Sequence, residues 1–150
     1  MANETMITVQ GWVGNAPVLR KVGDAAVLNF RVGCTPRHYD KSTDSWVDSE
    51  TQWYSVSAWR RLAAHGARSF NRGDAVIVHG RVNHRAYRTS SGGEGVSIEI
   101  EAFSMGHDLN RGIAQFHKAP PASDTGTPAP ASPGPAPDIA PEAHHEAGAA

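Results

Sequence analysis

The sequence predicts an all-β barrel with a single helix, and two observations support that fold class. Apolar and polar residues alternate along five stretches, which is the period of strands with one buried face. These stretches are residues 7–13, 28–34, 51–59, 76–83 and 96–101. One segment, residues 60–70, has the pattern of a helix and lies between the third and fourth strands. That order is typical of the OB-fold, a five-stranded Greek-key barrel that commonly binds oligonucleotides or oligosaccharides.

Two predicted hairpins extend beyond the barrel. Residues 36–50 join the second strand to the third, and residues 88–94 join the fourth to the fifth. Both contain polar turn sequences, such as Ser90-Ser91-Gly92-Gly93, that suit a solvent-exposed loop. Such arms can wrap a strand of nucleic acid or serve as plain solvated loops, and the sequence leaves both alternatives open.

The third strand carries two tryptophans on its polar face. Because successive side chains of a strand point to opposite faces, Trp53 and Trp59 lie beside two serines, whereas Val56 and Ala58 lie on the other face. A large ring on a wettable face suits base stacking, which contributes about 1–3 kcal/mol per base regardless of sequence. The alternative is that these rings cover a helix or a subunit contact.

The fourth strand adds cations to the same kind of surface. Arg81, Asn83, Arg85 and Tyr87 share one face, which therefore presents positive charge for phosphates and one ring for a base. Beside the tryptophan face of the third strand, this pattern predicts a groove for a single strand of nucleic acid.

The composition divides the chain into a domain, residues 1–118, and a tail, residues 119–150. The tail holds eight of the ten prolines and ten alanines, with no Lys, Arg or aromatic residue. Its low hydrophobicity cannot offset the entropy of ordering, so we expect it to be disordered. Fourteen cations and eleven acids give the domain a charge of +3, and four acids give the tail −4. A mildly basic domain favours a polyanionic partner only weakly.

No motif in the sequence predicts catalysis, a metal site or a cofactor. There is no P-loop, H-E-x-x-H, C-x-x-C or G-x-S-x-G motif, and the eight histidines lack the paired spacing of metal ligands. We find no signal segment and no apolar run of spanning length, so we expect a cytoplasmic protein that does not associate with a membrane. Cys34, the one cysteine, cannot form an intrachain disulfide and is expected to be a small buried residue.

Five segments of the domain carry motifs whose order and spacing are specific. They are Ile7-Thr8-Val9-Gln10-Gly11-Trp12-Val13-Gly14, Pro17-Val18-Leu19-Arg20, Asn29-Phe30-Arg31-Val32, Glu50-Thr51-Gln52-Trp53-Tyr54-Ser55-Val56 and Gly73-Asp74-Ala75-Val76-Ile77-Val78-His79-Gly80-Arg81-Val82. Together they resemble the bacterial single-stranded DNA-binding protein family over residues 4–112. The resemblance implies a homotetramer of OB-folds that coats single-stranded DNA in replication, recombination, repair or chromosome segregation, close to the nucleoid.

The resemblance also implies which residues contact DNA. The stacking positions of the family fall on Tyr39, Trp53, Trp59 and Tyr87. Tyr39 and Tyr87 stand where the best-known members have tryptophan, and Trp59 stands where they have phenylalanine, but each exchange keeps a ring that can stack. We expect the phosphate contacts to come from Arg31, Arg37, Arg81 and Arg85. Trp46, at the tip of the first hairpin, is an extra DNA contact or part of a subunit interface.

The C-terminus departs from the family, which usually ends in a short acidic tip that closes in Pro-Phe and recruits other replication and repair proteins. This chain ends in His144-His145-Glu146-Ala147-Gly148-Ala149-Ala150, so we do not expect that recruitment. It resembles a second, shorter paralogue of the kind found in some actinobacteria. In an oligomer with two-fold axes Cys34 can meet its own copy, so a disulfide between subunits is geometrically possible. An OB-fold module that binds RNA or protein, and an OB-fold nuclease, are the competing functional classes.

Overall fold

The computed structural model describes residues 3–121, which form eight strands and one helix. In chain order these elements are β1 (Met6–Val13), β2 (Val18–Val22), β3 (Ala25–Cys34), β4 (Arg37–Asp40), β5 (Ser45–Asp48), β6 (Gln52–Trp59), α1 (Arg60–Ser69), β7 (Ala75–Arg88) and β8 (Glu94–His107). The five predicted barrel strands correspond to β1, β3, β6, β7 and β8, and the predicted helix corresponds to α1.

The main sheet closes on itself. Its strand order is β1-β7-β8-β6-β3-β2, and β1 also pairs with β3, where Trp12 lies opposite Gly33 and Val13 opposite Val32. Every pairing is antiparallel except that of β6 with β8. The closed ring of β1, β3, β6, β8 and β7 is the predicted OB-fold barrel, which is thereby confirmed.

The barrel is filled by the inward side chains of its strands. Leu28, Val56, Val76 and Ile100 are at most 1% exposed, and all four belong to one apolar cluster. α1 closes one end of the barrel through its buried residues Ala63 and Gly66. The helix backbone approaches the core closely, because a Cβ atom on Gly66 would lie 2.8 Å from Leu28 Cδ2.

Two elements differ from the sequence prediction. The pattern did not reveal β2, because all five of its residues are exposed at the edge of the sheet and no alternation results. β8 continues to His107, well beyond the predicted end at residue 101. The prediction stopped early because a β-bulge opposite His79 and Gly80 interrupts the alternation of side chains in β8. At that bulge Ala102 is buried while its neighbour Phe103 is 52% exposed.

Both predicted hairpins are present. β4 and β5 form a separate two-stranded sheet, in which Tyr39 lies opposite Trp46. β7 and β8 pair along their full length as far as Arg88 and Glu94, so their outer ends form a projecting arm. Residues 122–150 lie outside the described residues, and most of the predicted tail falls there. The domain boundary at residue 118 therefore remains a prediction.

We expect the same substitution to have different effects on the two sides of the β2–β3 pair. Leu28 and Leu19 are register partners, but Leu28 is fully buried and Leu19 is 49% exposed. Leu28→Ala should lower the free energy of unfolding by about 2–5 kcal/mol, because it leaves a cavity in the barrel. Leu19→Ala should cost much less, and urea unfolding of both variants measures the difference. Equal losses would contradict the assignment of the core.

Candidate functional site

The outward side chains of four neighbouring barrel strands form one continuous surface, here called the outer face. Strand register assembles it: Arg31 of β3 lies opposite Ser55 of β6, Ser55 pairs with Glu99 of β8, and Glu99 pairs with Asn83 of β7. By the same register the outer face comprises Asn29, Arg31, Gly33, Trp53, Ser55, Ser57, Trp59, Arg81, Asn83, Arg85, Tyr87, Gly95, Ser97, Glu99 and Glu101. Three of the four predicted stacking residues and three of the four predicted phosphate contacts are brought together here.

The tryptophans of β6 lie on the outer face, as the alternation predicted. Trp53 is 45% exposed and Trp59 is 38% exposed, whereas Val56 and Ala58 between them are buried. The guanidinium carbon of Arg31 lies over the Trp53 ring, 4.8 Å from its centroid. A cation over an indole ring is attracted by the ring quadrupole. Arg31 therefore places a positive charge directly beside a ring that can stack on a base.

Tyr87 stands on the arm formed by the outer ends of β7 and β8. It is 50% exposed and lies opposite Gly95. A cleft of about 440 Å³ opens beside the ring and is also lined by Ala86, Arg88 and Val96. The arm thus supplies a third exposed ring to the outer face, separated from the tryptophans of β6 by β8.

Tyr39 lies away from the outer face, on the hairpin of β4 and β5. Its ring packs edge to face against Trp46, with 5.7 Å between the ring centroids, and both side chains are exposed. The Tyr39 hydroxyl donates a hydrogen bond to Asp44, which raises the pKa of Tyr39. The hairpin therefore presents two adjoining rings. The resemblance assigned a stacking role to Tyr39, and Trp46 was predicted to be an extra DNA contact or part of a subunit interface.

The four predicted phosphate contacts differ in how far their charge is already neutralised. Arg81 forms salt bridges with both Glu4 and Glu101, and these carboxylates, Glu101 foremost, raise its pKa further. Arg37 pairs with Asp48 at 2.7 Å, and Arg85 approaches Glu99 at 3.7 Å. Within residues 3–121, no carboxylate lies within salt-bridge distance of Arg31. The double pairing of Arg81 counts against a role in phosphate binding, whereas Arg31 is well placed for one.

The helix contributes cations that the sequence prediction omitted. Arg60 and Arg61 directly follow Trp59, and Arg68 lies in the last turn of α1. All three are exposed, and in the described part of the chain none is paired with a carboxylate. The signal for them was available, because residues 60–69 contain three arginines and no acid.

Cys34 is partly buried, as its position among the apolar residues of β3 suggested. Its thiol donates a hydrogen bond to the carbonyl oxygen of Gln10 at 2.8 Å, and burial raises its pKa. The predicted disulfide between subunits stays a prediction. Residues 3–121 contain no cluster of three or more metal-ligating side chains. Over the same residues, α1 is too short and too polar to cross a membrane.

Comparisons with known proteins agree on one family. Residues 4–108 match the Single-strand binding protein family. The chain is 38% identical over 135 residues to the single-stranded DNA-binding protein of Mycobacterium tuberculosis, covering 87% of this chain and 82% of that protein. The small single-stranded DNA-binding protein from Streptomyces coelicolor superposes with a TM-score of 0.68 at 36% identity, over 74% of this chain and 100% of that one. The second such protein of Mycobacterium smegmatis gives a TM-score of 0.58 at 30% identity, over 77% of this chain and 99% of that one.

We expect Cys34 to react slowly with alkylating reagents. Because burial raises the pKa of its thiol, the reactive thiolate appears at higher pH in the folded protein than in the unfolded chain. The rate of iodoacetamide alkylation, measured from pH 7 to 10 with and without urea, should rise at higher pH in the native protein. Superimposable profiles would show that the fold does not protect this thiol.

Proposed function

The chain belongs to the single-strand binding protein family, and on that premise we propose that it binds single-stranded DNA without sequence preference by stacking bases on exposed rings. Its similar proteins come from actinobacteria, which confirms the predicted resemblance. The observation that carries the proposal is the outer face itself, where Trp53 and Trp59 on β6 and Tyr87 on β7 are exposed on the same side of one sheet, with β8 between them. Rings arranged in this way stack on unpaired bases and tolerate any sequence.

The phosphates of the bound strand contact cations at the borders of the outer face. Arg31 lies beside Trp53, Arg85 lies beside Tyr87, and Arg60 and Arg61 continue the surface beyond Trp59. Arg37 adds a cation at the base of the hairpin that carries Tyr39. Arg81 is assigned a structural role instead, because two carboxylates already surround it.

The charge pattern of the outer face favours a single strand over a duplex. Glu99 and Glu101 lie on β8, between the strand that carries the tryptophans and the strand that carries Tyr87. Phosphates placed over them would be repelled, so the backbone is directed along the cationic borders while the bases turn inward to the rings. A duplex cannot follow this path, because its bases are already stacked on one another.

The working unit we propose is a homotetramer. Large apolar side chains outside the stacking set support it, since Met6 and Trp12 of β1 and Phe103 of β8 are each more than 40% exposed. We further propose that the protein protects single-stranded DNA at the nucleoid during replication, recombination or repair, with no catalytic step.

We expect removal of one ring from β6 to weaken binding without unfolding the domain. Trp53→Ala should lower the free energy of binding to oligo-dT by about 1–3 kcal/mol, because one stacked base is lost. Fluorescence titration measures the affinity, and the matched control is Phe116→Ala, which removes an 89% exposed ring that lies outside every strand. Titrations with the matching RNA and with duplex DNA test the nucleic acid class. Normal binding by Trp53→Ala would refute the stacking surface.

The salt dependence of binding should separate Arg85 from Arg81. For single strands each neutralised phosphate contributes roughly −0.7 to the slope of log K against log salt, so Arg85→Ala should flatten that slope by about this amount. Arg81→Ala should leave the slope unchanged, because its charge already balances Glu4 and Glu101. Oligo-dT titrations at four or more salt concentrations provide the slopes. If Arg81→Ala were the variant with the flatter slope, the assignment of the phosphate contacts would be reversed.

A further inference from the structure

Two stacking rings of the outer face each lie across a glycine on the neighbouring strand. Trp53 pairs in register with Gly33, and Tyr87 pairs in register with Gly95. Gly14, which follows β1, lies against the same six-membered ring of Trp53 as Gly33 does. The remaining residues of the outer face that pair across strands have side chains of their own.

The contacts leave no room for a Cβ atom unless the aromatic ring moves. A Cβ atom on Gly95 would lie 2.5 Å from Tyr87 Cζ and 2.7 Å from its hydroxyl oxygen. A Cβ atom on Gly33 would lie 3.0 Å from Trp53 Cζ3, and one on Gly14 would overlap the same atom. In each case the nearest atoms belong to the aromatic side chain, so a methyl group would displace the ring and leave the backbone in place.

Backbone conformation does not explain these glycines. Left-handed φ angles occur at Gly23, Gly73 and Gly92, and an added Cβ there would meet no atom within 4 Å. Gly14, Gly33 and Gly95 have φ angles that any residue can adopt. Glycine is required at these positions because the neighbouring ring occupies the space of a Cβ atom. Gly80 is different again, since a Cβ atom there would strike the backbone of Glu101 and disturb the barrel.

We propose that Gly14, Gly33 and Gly95 are positioning residues for single-stranded DNA, because they let the Trp53 and Tyr87 rings lie against the sheet while about half of each side chain stays exposed. This inference rests on the proposed function. Glycine on one strand covered by an aromatic ring from the next is a known way to stabilise a sheet. Here the same contact fixes the ring before DNA arrives, so less side-chain entropy is lost on binding.

The first experiment tests the ring positions without DNA. A ring lying across a glycine shifts the α-proton resonances of that glycine upfield, so Gly95 and Gly33 should show such shifts in NMR spectra. The shifts should disappear in Tyr87→Ala and Trp53→Ala respectively, while Gly106 of β8, where an added Cβ would meet no atom within 4 Å, keeps its values in both variants. Ordinary α-proton shifts at Gly95 and Gly33 in the unaltered protein would overturn the inference, whatever the protein binds.

The second experiment measures whether Gly95 acts through Tyr87. Loss of a stacked base weakens binding by about 5- to 150-fold, and we expect Gly95→Ala to weaken oligo-dT binding by about fivefold or more. In the Tyr87→Ala background the same substitution should have no further effect, which a double-mutant cycle detects. Gly106→Ala, on the same strand with open space around it, is the matched control and should bind normally.

The outcomes distinguish the inference from the proposed function. If the unaltered protein does not bind oligo-dT, the proposed function fails, and the NMR shifts still decide where the rings lie. If it binds and Gly95→Ala binds equally well, or weakens binding to the same extent without Tyr87, the positioning role is refuted while the function stands. Should Gly95→Ala fail to fold, the cycle of Gly14→Ala with Trp53→Ala gives the same decision at the other ring.

Discussion

The alternation of side chains along β6 is the constraint on which the outer face depends. Val56 and Ala58 are fixed in the barrel core by the strands on either side, so Trp53 and Trp59 must face outward. A slip of one residue would turn both indoles into the core and the valine to solvent. Because β3, β8 and β7 are registered to β6 directly or in turn, the positions of Arg31, Glu99 and Tyr87 follow from the same anchor.

Exposed rings reduce the stability gained on folding, because apolar area left in water does not contribute the burial free energy of about 25 cal/mol for each Å². The fold reduces this loss without hiding the rings. Gly33 is itself buried because Trp53 covers it, and the Arg31 guanidinium lies over the same ring. Each ring therefore packs on the sheet with part of its area and leaves the rest accessible.

The sequence predicted those features that depend on local period. Five barrel strands, α1 and the exposure of Trp53 follow from alternation within a few residues, and the structure confirms them. β2 was not predicted because all of its residues are exposed and show no alternation of burial. The last part of β8 was not predicted because the bulge at Phe103 interrupts the alternation there. The neutralisation of Arg81 was equally invisible, since Glu4 is 77 positions away in the chain. Nor could the sequence identify Gly95 as the partner of Tyr87, because register between strands is a tertiary property.

The charges of the outer face add information that the alternation of side chains along β7 does not contain. Alternation along β7 places Arg81 and Arg85 on the same face. On β8, Glu101 is the register partner of Arg81, and Glu99 pairs with Asn83, next to Arg85 on that face. Exposed pairs of this kind are weak, so the phosphates of a bound strand can compete for the 76% exposed Arg85 side chain. Arg81, which two carboxylates enclose and which is only 32% exposed, would have to lose both partners to do the same. Arg31 has no carboxylate partner among residues 3–121, and its guanidinium lies over the Trp53 ring, so the proposed base stacking and the proposed phosphate contact would meet where β3 pairs with β6.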